Sequence, residues 1–221
     1  MPEPATPLGP EAVGITERTL FLKIWRHPTA TLGFILANCP GAYVTQLLVL
    51  GGIARAVGRI KPSQVHDASS AGNALLLAAL LGGAFGWVTY YFYAWGLSLC
   101  GQWMGGRATA DTLKTVLAWA LVPTIVSLAP MCLVLDISSG DSFRREVIDL
   151  PLSNETLLYA LSGLELGLAV WTFCIFLSGI RLVQGFAVGR AVLNMVLPGA
   201  TLVLFVGGIM LLMKALETAV N

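Results

Sequence analysis

Residues 68–106 read ASSAGNALLLAALLGGAFGWVTYYFYAWGLSLCGQWMGG, 39 consecutive positions without an Asp, Glu, Lys or Arg. A helix rises 1.5 Å per residue and needs about 20 apolar residues to cross about 30 Å of hydrocarbon. The apolar positions run on without alternating, the pattern of a membrane helix and not of a membrane barrel strand. Length alone admits one long crossing or two short ones joined by a turn. The aromatics favour one: Tyr90, Tyr91, Phe92, Tyr93 and Trp95 cluster as rings do at the headgroup level. A span over about 73–95 is therefore expected, with Gly96–Gly106 as a helical extension or an interfacial segment.

Working outward, residues 28–54, 115–135, 166–180 and 191–213 are also free of these four charged types. Three of those gaps fit one crossing each. The gap at 166–180 becomes long enough only if its helix begins near Thr156 and takes in Glu165. The expected fold is an all-α integral membrane protein. It is a bundle of five transmembrane helices over about 29–54, 73–95, 112–135, 156–180 and 191–213, within a membrane domain spanning 28–216. Residues 1–14 hold Pro2, Pro4, Pro7 and Pro10 and are expected to be disordered. Residues 15–27 place Leu20, Phe21, Ile24 and Trp25 on one helical face, with Arg18, Lys23 and Arg26 around it. That pattern predicts an amphipathic helix lying on the membrane surface.

Composition agrees. The 221 residues are 56% hydrophobic and 11% charged, with a mean hydropathy of +0.78, whereas soluble domains carry about a quarter charged residues. This excludes most soluble enzymes and disordered proteins, and a net charge of +1 gives no electrostatic case for a nucleic-acid partner. Basic residues divide almost evenly between the two sides of a five-span chain, so charge does not orient it.

Few groups are left to carry chemistry. Cys39, Cys100, Cys132 and Cys174 fall in or near different spans without metal-ligand spacing and read as packing residues. His27 and His66 lie outside the spans. Neither a catalytic constellation nor a cofactor or metal motif is present, so no enzyme is expected. Glu165 is the one charge well inside a span. An intramembrane carboxylate is costly and faces a partner or is protonated. The favoured reading is a hydrogen-bonded contact between helices, with Gly163 and Gly167 forming a small-xxx-small face beside it; the alternative is an ion or proton site. Gly82 and Gly86 offer a second close-packing face, as do Gly101 and Gly105. Pro123 and Pro130 lie inside the third span and are expected to kink it.

Three blocks taken in order resemble the Yip family of Rab-interacting multispanning membrane proteins, above all its prokaryotic branch. They are Ile24-Trp25-Arg26-His27-Pro28-Thr29-Ala30-Thr31; Gly105-Gly106-Arg107 followed by Leu117-Ala118-Trp119-Ala120-Leu121-Val122-Pro123; and Gln184-Gly185-Phe186-Ala187-Val188-Gly189-Arg190-Ala191. The similarity runs from about Leu20 through nearly the whole chain. It implies five spans, a cytosolic N-terminus and, for a prokaryotic member, the bacterial inner membrane. It brings no catalytic residues. The functional expectation is a non-enzymatic scaffold or adaptor in membrane organisation or trafficking, whose partners are the bilayer, other membrane proteins or a second copy of itself. The alternative is a transporter or channel subunit using Glu165.

Overall fold

Proline and glycine mark most of the points where the helices begin and end. The computed structural model describes residues 14–60, 68–138 and 154–220, and every regular element among them is helical. A 3-10 turn at Glu17–Thr19 leads into α1 (Leu20–Arg26), α2 (Pro28–Asn38), α3 (Val44–Val57) and α4 (Ala68–Trp103). There follow α5 (Ala110–Ala120), α6 (Val122–Val126), α7 (Leu128–Ser138), α8 (Asn154–Gln184) and α9 (Val188–Val220). Four helices are long and apolar enough to cross a membrane, and Val44–Val57 is a shorter apolar helix. The count of five crossings thus holds approximately. The proline-rich segment expected to be disordered lies, but for Gly14, outside the described residues.

The stretch 68–106 forms one helix of 36 residues, about 54 Å long, and Gly96–Trp103 extends it without a break. It stops where Gly105 adopts φ +84 and the N–H of Gly106 bonds back to the Gly101 carbonyl at 2.7 Å. A left-handed glycine is the usual device for ending a helix, because no Cβ opposes it.

The expected first crossing, 29–54, is not continuous. Pro28 opens α2 at a position where its missing N–H costs nothing, and holds His27 outside the helical region. Asn38 donates its side-chain amide to the Phe34 carbonyl at 2.9 Å. Pro40 and Gly41 follow, and Tyr43 takes φ 58 before α3 starts. The absence of charge concealed this Pro-Gly break. The expected third crossing divides into α5, α6 and α7, with interruptions at Leu121 and Ser127, two residues before Pro123 and three before Pro130. Each proline removes one N–H from the i→i−4 ladder, and Ser127 donates its hydroxyl to the Thr124 carbonyl at 2.7 Å beside the second interruption.

Contacts fix the arrangement. Thr115 donates its hydroxyl to the Pro40 carbonyl at 2.8 Å, a Cβ on Gly51 would meet Leu121, and one on Gly58 would meet Met131. α3 therefore runs alongside α5–α7 in the same direction. α8 runs against them, with Gly179 beside Val116 and Thr172 beside Thr124. Leu32 of α2 abuts Gly179, at the level of Val116, while Pro40 sits at the level of Thr115. Leu32 within α2 and Pro40 just beyond it thus share one depth, so α2 runs across the bundle near the start of α5.

The main core forms at this end, where Leu20, Ile24, Leu32, Ile35, Trp119 and Ile180 are almost fully buried. α1 differs from the expectation in what covers its apolar face. Leu20 and Ile24 are sealed inside the protein, and Phe21 packs on Trp119 with ring centroids 4.9 Å apart. A smaller cluster of Val57, Ala71, Ala78 and Leu135 closes the other end.

Candidate functional site

Two junctions and a cavity give the bundle its geometry. At the first junction, α3 and α4 touch through glycine. A Cβ on Gly82 would lie 2.7 Å from the Gly52 carbonyl oxygen, and one on Gly86 would strike the Gly52 Cα. Such close approach needs hydrogen in place of a side chain on both helices. The Tyr90 hydroxyl completes the contact, donating to the Gly51 carbonyl at 3.1 Å. Gly82 and Gly86 were legible as a packing face, but their partner Gly52 was not.

At the second junction, Gln184 ends α8 inside a cleft formed by Gly101 and Gly106. A Cβ on either glycine would collide with its amide. Its Oε1 accepts from the Ala108 N–H at 3.1 Å, and Ser98 donates to the Ala108 carbonyl at 3.0 Å. The three sequence blocks Ile24–Thr31, Gly105–Pro123 and Gln184–Ala191 meet here, with Ile24, Trp119, Phe186 and Ala191 in one buried cluster. Trp119 Nε1, Gln184 Nε2 and both amide atoms of Asn194 are buried without a hydrogen-bond partner among the described residues.

Between the two ends lies a cavity of about 670 Å³. Its polar lining comes from Arg55, Arg59, Tyr90, Thr124 and Thr172, and Met131 and Phe176 supply apolar wall. Thr124 and Thr172 hydrogen-bond to each other at 2.9 Å across α6 and α8. The Arg55 guanidinium lies 5.9 Å from the centroid of the Tyr90 ring, a cation–π distance. Because Gly51 faces Leu121 and Gly58 faces Met131, Arg55 sits between those levels, within the depth of the bundle. α7 continues from Met131 to Ser138, about 10 Å past the end of α3, so both arginines lie short of the end of α7, with their side chains exposed. Lys114 and Asp111 form an ion pair at 2.7 Å on the outer end of α5. A guanidinium at membrane depth costs about 2.5–3.5 kcal/mol on insertion scales unless it is matched.

The expected first span, 29–54, stops one residue short of Arg55. Arg55 belongs to α3 itself, and Arg59 follows in the turn beyond its end.

Glu165 is half-buried and does not border the cavity. The helix contact expected there is not formed within the described chain: nothing lies within 4 Å of a Cβ built on Gly163 or Gly167. Residues two apart point to opposite sides of a helix, so this glycine face and the carboxylate cannot serve the same neighbour. Of the cysteines, Cys100 is buried, Cys39 is partly so, and Cys132 and Cys174 are exposed on the outer surface. The described residues contain no group of three or more His, Cys, Asp or Glu able to hold a metal ion.

The fold and its junctions define a multispanning helical membrane protein. The family model described as Yip1 domain matches residues 20–210, and the chain belongs to that family. Comparison with curated proteins and with solved structures finds no match.

Proposed function

We propose that this Yip1-domain protein acts without enzymatic chemistry, as a scaffold or adaptor in membrane organisation or trafficking that self-associates or engages other membrane helices. The observation that carries the reading is the open face of α8. Tyr159, Gly163, Leu166 and Val170 follow one another at helical spacing, all are exposed, and the glycines leave room for a backbone to approach. The inner glycines are already occupied within the chain, at Gly52, Gly82 and Gly86, whereas Gly163 and Gly167 are not. The family supports the same direction and brings no catalytic residues. A transporter using Glu165 is the weaker reading, because that carboxylate stands outside the cavity lining.

The test is association of two differently labelled copies, measured by energy transfer in vesicles. Wild-type chains should associate. Gly163→Leu with Gly167→Leu should reduce association about tenfold or more, with melting temperature unchanged, because the face touches nothing in the isolated chain. Protein that stays monomeric and captures no membrane partner would overturn the proposal. The placement in the bacterial inner membrane with a cytosolic N-terminus is part of the same proposal.

A further inference from the structure

The structure assigns the hollow around Arg55 and Arg59 as a binding site for an anionic phospholipid, the two guanidinium groups taking its phosphate and the neighbouring groove its acyl chain. Two hollows share Arg55, Arg59 and Thr89 as common wall. One is the inner cavity, with the hydroxyl-bearing Tyr90, Thr124 and Thr172. The other is a groove of about 460 Å³ between α3 and α4. Its walls carry Leu77, Leu81 and Phe85, which are 57%, 50% and 66% exposed.

Cation and apolar surface side by side fit an amphiphile. A free anion would satisfy the arginines and leave the groove to nothing; a neutral acyl chain would do the reverse. Two guanidinium groups on one shared wall match the several oxygens of one phosphate, since each presents a fork of donors. Both side chains are exposed along this shared wall and open to a ligand that enters the groove. The close glycine crossing at Gly52 and Gly86 closes the groove on the deeper side of Arg55, so a chain passes over the exposed Leu81 and Phe85 of α4 instead of between the helices.

The site is tested by native mass spectrometry of the full chain, stripped of lipid in detergent and titrated with phosphatidylglycerol or phosphatidylcholine. Wild-type protein should retain phosphatidylglycerol about tenfold to thirtyfold better, the scale of two basic contacts to an anionic lipid. Arg55→Gln with Arg59→Gln should abolish that preference, while Arg18→Gln with Arg26→Gln, at the opposite end, should leave it intact. If the double variant does not fold, Arg59→Gln alone, at the exposed helix end, should still lower the preference, and Arg55→Lys with Arg59→Lys should keep part of it. Millimolar inorganic phosphate should compete poorly, and a short-chain phosphatidylglycerol should bind more weakly than a long-chain one. Equal retention of the two lipids by the wild type, an undiminished preference in the glutamine variants, or full displacement by phosphate would each overturn the assignment. The last would identify a free-anion site instead.

Discussion

A glycine is worth what its missing Cβ would have met, and this chain carries both extremes. At Gly86 the absent atom would strike the backbone of Gly52, which cannot move aside as a flexible side chain does. Gly86→Ala is expected to destabilise by about 1–3 kcal/mol, the usual effect of forcing extra volume into a packed contact, and to separate α3 from α4. Gly163→Ala meets open space and should leave the melting temperature unchanged. Thermal unfolding of both variants in detergent checks the pair; equal losses would mean that α3 and α4 do not cross through glycine. Sequence reading treated both as packing positions, since a glycine pair at four-residue spacing looks the same whether or not a helix lies against it. What separates them is the identity of the neighbour, and no local pattern encodes that. The same holds for Asn194, fully buried with neither amide atom paired among the described residues: its burial follows from the path of α9 and not from its flanking residues.

Helices are shaped here by where their ends are fastened. Gln184 is the last residue of α8, and its amide fills the cleft beside the turn between α4 and α5. Gly106→Ala should therefore weaken the fold by about 1–3 kcal/mol. Adding Gln184→Ala should recover part of the loss, because the atom struck has been removed; an interaction energy of about 0.5–3 kcal/mol is typical of residues in direct contact. Strict additivity in a double-mutant cycle of unfolding would show that the two do not share the cleft. Element boundaries were partly legible. Thr109 caps α5, accepting from the Thr112 N–H at 3.3 Å. The break at Asn38–Tyr43 is carried by Pro40 and Gly41, a strong turn signal that the absence of charge across 28–54 conceals.

For the whole molecule, α3, α4, α5–α7, α8 and α9 run alternately up and down, so the segments before α3 and after α9 should face opposite sides of the membrane. Single cysteines introduced at Arg18 and Lys214 in a cysteine-free background should react with a membrane-impermeant maleimide from opposite faces of sealed vesicles; labelling from the same face would break the five-pass arrangement. Sequence alone determined the solvent: 25 charged residues in 221, gathered between long apolar stretches, cannot cover a soluble domain and leave helices as the structure whose backbone is satisfied in lipid. It also determined the approximate number of spans, because span length is set by bilayer thickness. Only the tertiary structure decided what touches what. It placed Gly52 against Gly86 and Gln184 against Gly106, left Gly163 and Gly167 open, and set Arg55 on α3 beside Arg59, along the wall that two hollows share. Periodicity fixes which face of a helix is apolar, but in a chain apolar on every face it does not say which side meets protein and which meets lipid. That choice is made by close packing between elements distant in sequence, and it is where the candidate site arises.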